Sequence, residues 1–151
     1  MNYLRYLACF VGVSVLASVL LAVLRTAGVP LSGAAFGAVP ILVAAMVEGQ
    51  GFARKYQRSP RAGEAWGFAL KAFVLVALVE LGLGTLAWFF LPGAQAGVSA
   101  GQLPLFLAII FGLTFLLVVL ISRFFYSTSA KNYLKAMEKK AQKLAKRQAK
   151  A

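Results

Sequence analysis

Four long apolar runs, at positions 7–24, 33–52, 68–91 and 103–125, are separated by stretches that hold most of the polar side chains. A helix needs roughly 20 mostly apolar residues to cross a ~30 Å hydrocarbon core, and each run is of that order. The pattern predicts an all-α protein: a four-transmembrane-helix bundle over residues 1–126. After the fourth run the pattern changes. Ala130, Tyr133, Leu134, Met137, Ala141, Leu144 and Ala145 recur at three- and four-residue steps, with Lys and Arg between them. This spacing predicts a basic amphipathic helix over 127–151, lying on the inner leaflet.

The first run is preceded by Arg5 and could pass for a secretory signal. It is long for one, and Arg25 stands where a small-residue cleavage site belongs, so it reads as an uncleaved span. The two halves of the chain share neither motif nor spacing, and an inverted-repeat transporter gains no support.

Charge adds sidedness. Lys and Arg number 16 against 4 acidic residues, a net charge of +12. Arg5, the group Arg54, Lys55, Arg58 and Arg61, and Arg123 with all later basic residues fall on one side of the spans. The other side has Arg25 and an uncharged connection from Pro92 to Gln102. Basic residues are retained on the cytoplasmic side, so both termini are expected there, in a bacterial inner membrane. Beside membrane spans, an anionic lipid surface is a nearer partner for this charge than nucleic acid. Tyr3, Tyr6, Tyr56, Trp66, Phe124, Phe125 and Tyr126 sit near the inner boundary, where aromatic rings favour the headgroup level, and Trp88 nears the outer one.

Composition also narrows the chemistry. Histidine and aspartate are absent and Cys9 is the single cysteine. No disulfide, metal site, cofactor site or His-activated nucleophile is expected, which argues against an enzyme.

Few polar residues fall inside the spans. Glu80 lies at the middle of the third, where an ionised carboxylate costs at least ~2.5–3.5 kcal/mol on insertion scales. If spans two and three form a hairpin centred between Ser59 and Pro60, Glu80 is level with Pro40. Proline has no N–H, so the Phe36 carbonyl is left for a protonated Glu80 to bond. Ser14, Ser18 and Thr114 lie near the same depth. Such a group is either a polar clamp between helices or a proton- or cation-coupling site. The same register places Gly82 opposite Gly37, which forms with Gly33 a small-xxx-small pair suited to close helix approach. It also makes Glu48 and Lys71 a candidate ion pair, the alternative being that each snorkels separately. In the turn, Ser59 reads as a helix cap, Pro60 as the first helical residue, and Glu64 as an acid near the positive end of the helix dipole. In the tail, Lys131, Lys135, Lys139, Lys140, Lys143, Lys146, Arg147 and Lys150 are candidate lipid-binding residues.

The stretch from Ala45 through Gly49, Phe52, Ala53 and Arg54, then Arg58-Ser59-Pro60 and Glu64-Ala65-Trp66, resembles a family of small four-helix bacterial inner-membrane proteins with no assigned activity. Their hairpin carries Gly-x-x-Phe-Ala-basic, Arg-x-Pro and Glu-x-Trp. The chain departs from that pattern at Lys55–Gln57 and in its Lys-rich tail. The resemblance implies a bacterial inner membrane and no particular activity. Three functions fit the residues: a non-enzymatic accessory or interaction protein that packs on a membrane partner or on itself, a small oligomeric transporter or channel subunit using Glu80, and an immunity protein against a membrane- or periplasm-acting toxin.

Overall fold

Each apolar run folds as a helix. The computed structural model describes residues 3–28, 33–90 and 103–149, and among these it contains helices and turns but no strand. The helices are α1 (Tyr3–Thr26), α2 (Gly33–Tyr56), α3 (Ala62–Phe90) and α4 (Leu103–Gln148). The connection around Pro92–Gln102 lies outside the described residues.

Among the described residues, three helices, α1, α3 and α4, are long and apolar enough to cross a membrane. Only 6% of the most apolar window of α1 is buried inside the protein. A helix that oily and that bare is stable only where hydrocarbon covers it. α2 carries Glu48, Gln50, Arg54 and Lys55 in its second half. Its position explains the tolerance: α2 packs against both α1 and α4, so protein takes the place of lipid along much of its length.

Connectivity suggests that α2 and α3 pack as a hairpin pair, but the extensive contacts of α3 are with α4 instead. Small residues decide the arrangement. On α2, Ala45, Gly49 and Ala53 are buried at four-residue steps. A Cβ at Gly49 would run into the Tyr126 carbonyl of α4, so the two backbones are already as close as they can come. On α3, Ala65, Ala69, Ala72 and Val76 form a second buried stripe. α4 receives both, burying Val118, Val119, Ser122, Tyr126, Ser129 and Ala130.

Gly37 and Gly82 make no such close approach within the chain. A Cβ at Gly37 or at Gly82 would meet nothing within 4 Å, and the surroundings of Gly33 lie outside the described residues. Close approach occurs where a second helix removes all room for a Cβ, which two glycines in sequence register do not ensure.

The start of α1, the end of α2, the start of α3 and the 122–130 region of α4 all meet at one end of the bundle, joined by Arg5–Glu48, Tyr6–Phe68 and Ser129–Met46 contacts. The helices therefore alternate in direction, and the first helix begins at the end where the last one leaves. α4 has no break at residues 126–127. Its core-facing residues run to Ala130, and the same helix continues to Gln148. The tail is an extension of the fourth helix, where the sequence suggested a separate surface helix.

Gly49→Ala is expected to destabilise the protein by about 1–3 kcal/mol through overpacking. Gly37→Ala should be neutral, or stabilising by up to ~1 kcal/mol through helix propensity. Unfolding midpoints in mild detergent compare the two, and equal losses would contradict this packing.

Candidate functional site

The turn between α2 and α3 is held by one carboxylate. Glu64, in the first turn of α3, accepts two hydrogen bonds from the Arg58 guanidinium at 2.6 and 2.8 Å and a third from the Arg61 backbone N–H at 2.7 Å. The bond from Arg58, then that from Arg61, holds the carboxyl down at about 2, well below the ordinary carboxylate range. The helix starts at Ala62, so Arg61 is the cap residue, and Ser59 and Pro60 precede the helix. Arg61 has no acceptor in its side chain, and Glu64 reaches back in its stead, as in half a capping box. At the other side of the turn, Gln57 takes a left-handed conformation (φ 51°). Its backbone N–H donates to the Ala53 carbonyl and its Nε2 to the Arg54 carbonyl, each at 2.9 Å, which satisfies the end of α2. Arg58 also lies over the Phe52 ring at 5.2 Å.

About two turns deeper, Glu48 is 3% exposed and pairs with Arg5 of α1, Nε to Oε1 at 2.6 Å. Lys71 is exposed and takes no part in this pair. The expected Glu48–Lys71 bridge is thus replaced by Glu48–Arg5. The physical reason is the helix order, since the extensive contacts of α2 are with α1 and α4, so α1 supplies the cation. The Arg5 guanidinium also lies against Gly51, where a side chain would exclude it.

Below the pair is an aromatic cluster. Phe68 stacks on Tyr126 at 4.1 Å between centroids, while Tyr6 meets Phe68 and Phe52 meets Tyr126 edge-on, each at 5.8 Å. Tyr6 and Tyr126 are therefore core residues, although the sequence placed them among headgroup anchors. Trp66 does stay at the surface, with the Arg123 guanidinium 4.3 Å from its ring centre. Ser129 Oγ donates to the Met46 carbonyl at 2.9 Å and pins α4 to α2 at this level.

Farther from the turn, the described residues leave a cleft of about 610 Å³ between α1 and α3 with α2 at its floor. Phe10, Val11, Ser14, Val15 and Ser18 line it from α1, Gly37 and Pro40 from α2, and Val79, Glu80 and Leu83 from α3. Glu80 and Pro40 therefore share one cavity, and Ser14 and Ser18 join them. Thr114 does not line it, because α4 lies behind α2 and α3. No hydrogen bond or ion pair of Glu80 occurs among the described residues, so the clamp onto the Phe36 carbonyl is not formed there. Pro40 is buried within the continuous helix α2.

Lys131, Lys135, Lys139, Lys140, Lys143, Lys146 and Arg147 are all exposed along the projecting part of α4, and Lys150 lies outside the described residues. Among the described residues no three His, Cys, Asp or Glu side chains gather in a way that could hold a metal. Comparison with protein-family models, with curated proteins and with solved structures finds no match. Function must therefore be argued from the cleft, the charged turn and the projecting helix.

Arg5→Met strands the Glu48 carboxylate and is expected to cost about 3 kcal/mol. The double variant Arg5→Met/Glu48→Met should recover part of that loss, and Lys71→Met should stay within about 0.5 kcal/mol of the parent. Detergent unfolding of the four proteins is the measurement, and a Lys71→Met loss matching that of Arg5→Met would restore the other pairing.

The turn has its own pH signature. Glu64 titrates lower in the folded protein than in the unfolded chain, so its stabilisation is complete above the ordinary carboxylate pKa of about 4.3. That stabilisation is lost as the pH falls from there through about 2. Thermal unfolding followed from pH 6 to pH 2 should show this decline, and Glu64→Gln should remove the part that belongs to the turn.

Proposed function

We propose that the chain is a four-span protein of a bacterial inner membrane with both termini in the cytoplasm, and that it works as a non-enzymatic accessory subunit. Its task in this reading is to receive a transmembrane helix of another membrane protein in the cleft between α1 and α3. Several features support the topology. Arg54, Lys55, Arg58, Arg61 and Arg123 cluster at the end where α1 starts and α4 leaves, while Arg25 stands at the end of α1 that leads away from it. Basic residues of that distribution are held on the cytoplasmic side. The resemblance in the Gly49–Trp66 hairpin points to the same membrane.

The observation that carries the reading is Glu80, a carboxylate midway along an apolar helix, on the wall of a cleft that no described residue fills. Intramembrane carboxylates face protein or a polar cavity because hydrocarbon offers them nothing to bond. A partner helix with a donor or cation at the same depth meets that requirement and covers the apolar walls. A second copy of the chain is the other candidate occupant within this reading.

A photo-crosslinking residue at Leu83, in intact native membranes, tests it. The expected product is a covalent adduct to one membrane protein. The adduct should persist in Glu80→Gln, which still bonds, and fail in Glu80→Leu. An adduct to the chain itself would make the subunit a self-associating one, and labelling of lipid alone would end the proposal.

A second reading rests on Ser14 and Ser18, which add polar atoms to the same cleft. In an oligomer these groups and Glu80 would form a path for protons or small cations. Purified protein in liposomes should then show flux that Glu80→Gln abolishes, and flux unchanged by that substitution would remove the carboxylate from any such role.

A further inference from the structure

α4 outruns the bundle that supports it. Ala130 is the last of its fully buried residues, yet the helix continues to Gln148. At 1.5 Å per residue, the part from Lys131 to Gln148 projects about 27 Å. To lie flat on a bilayer it would need a sharp bend beside the last buried turn, whereas α4 runs as one helix from Leu103 to Gln148. No glycine or proline follows Gly112, and sharp kinks arise at such residues or where the hydrogen-bond ladder is broken. The turn that would have to give is also fastened, by Ser129 Oγ on the Met46 carbonyl and by the complete burial of Ala130.

The projecting part keeps a seam. Ser122, Tyr126 and Ala130 belong to the stripe of α4 that is buried in the bundle, with Tyr126 against Gly49 of α2. Leu134, Met137, Ala141 and Leu144 follow Ala130 at steps of four, three, four and three, the spacing of a coiled-coil face. α2 ends at Tyr56, and the chain turns away at Gln57. Past that point the seam has no helix over it: Met137 is 44% exposed and Leu144 60%. From Lys131 to Gln148 there are seven basic residues and one acidic residue, Glu138. Of the six positions flanking the seam, which in coiled coils select the partner by charge, Lys131, Lys140 and Arg147 are basic, Glu138 is acidic, and Tyr133 and Ala145 are uncharged.

We propose that this segment takes a helix of a partner protein, apolar along one face and acidic along its flanks, in the place that α2 vacates. Continuity with the α2–α4 interface supplies the geometry, and charge complementarity supplies the choice of partner. A second copy of the chain is the wrong occupant, because it would bring together two segments of the same net positive charge, seven basic residues to one acidic in each. A lipid surface is the remaining alternative, and a rod that continues the line of α4 does not lay its seam flat on one.

The test uses the full chain in lipid nanodiscs. The probe is a fluorescent 21-residue helix with leucine along its seam and glutamate on its flanks. Saturable binding by anisotropy is expected, weakened about tenfold or more by Leu144→Glu or Met137→Glu and by molar salt. Both residues are exposed, so both variants should fold. Absence of binding, or equal affinity for Leu144→Glu, overturns the proposal. An environment-sensitive dye on Leu144→Cys, with Cys9→Ser, reads the lipid alternative in nanodiscs with anionic lipid. Water-like emission that lipid-borne quenchers leave unchanged is expected. Quenching from the headgroups would give the seam to the bilayer and overturn the partner helix.

Discussion

At Gly49 the backbone of α2 meets the backbone of α4 at Tyr126 with no room for a single further carbon. Between helices in lipid there is little hydrophobic force, because the surrounding tails are as apolar as leucine, and association depends on how closely backbones pack. This contact therefore sets the spacing of the whole hairpin end. Ala45 and Ala53, a turn to either side, allow the approach to extend, and Ser129 adds a hydrogen bond across it. With α2 and α4 this close, the Arg5–Glu48 pair, the aromatic cluster and the Glu64 turn all have fixed positions to occupy.

Tight packing at one end has an effect at the other. α1 is carried by α2 and α3 by α4, while Tyr6 and Phe68 join the two outer helices beside the turn. Farther along, nothing large bridges them, and the cleft opens at the depth of Pro40 and Glu80. The closed end is rich in paired charge and stacked rings. The open end is apolar with one carboxylate and two hydroxyls. That contrast separates the part of the molecule that maintains the fold from the part where recognition is proposed.

The existence, number and direction of the helices were legible in the sequence, because length and hydropathy decide them and lipid permits few alternatives. Glu64 near the start of α3 was legible for a similar reason, since an acid in the first turn meets the helix dipole whatever else surrounds it. Neighbour relations were not legible. Depth along the membrane can be read from spacing, and it places Glu80, Pro40, Ser14 and Ser18 together correctly. The same spacing leaves open which helix stands beside which, so Lys71 was matched to Glu48 at equal height although Arg5 of α1 was nearer. The close approach within the chain lies at other small residues than Gly37 and Gly82 for a related reason. Gly33 and Gly37 fit a familiar pattern, whereas Ala45, Gly49 and Ala53 show the same four-residue step with alanine in two of the three places. The tail was read correctly as helical and basic. Its continuity with α4 depended on the buried turn at Ser129 and Ala130, which requires knowing that α2 lies alongside.

A helix without a joint is a lever. The turn at Ser129 and Ala130 is its fulcrum, clasped by α2, with about 27 Å of rod on one side and the spanning part of α4 on the other. Any sideways pull on the far end near Leu144 becomes a torque at that fulcrum, and α3, which rests on α4, must follow the movement. Glu80 is part of α3, so a displacement of α4 that α3 shares would move one wall of the cleft.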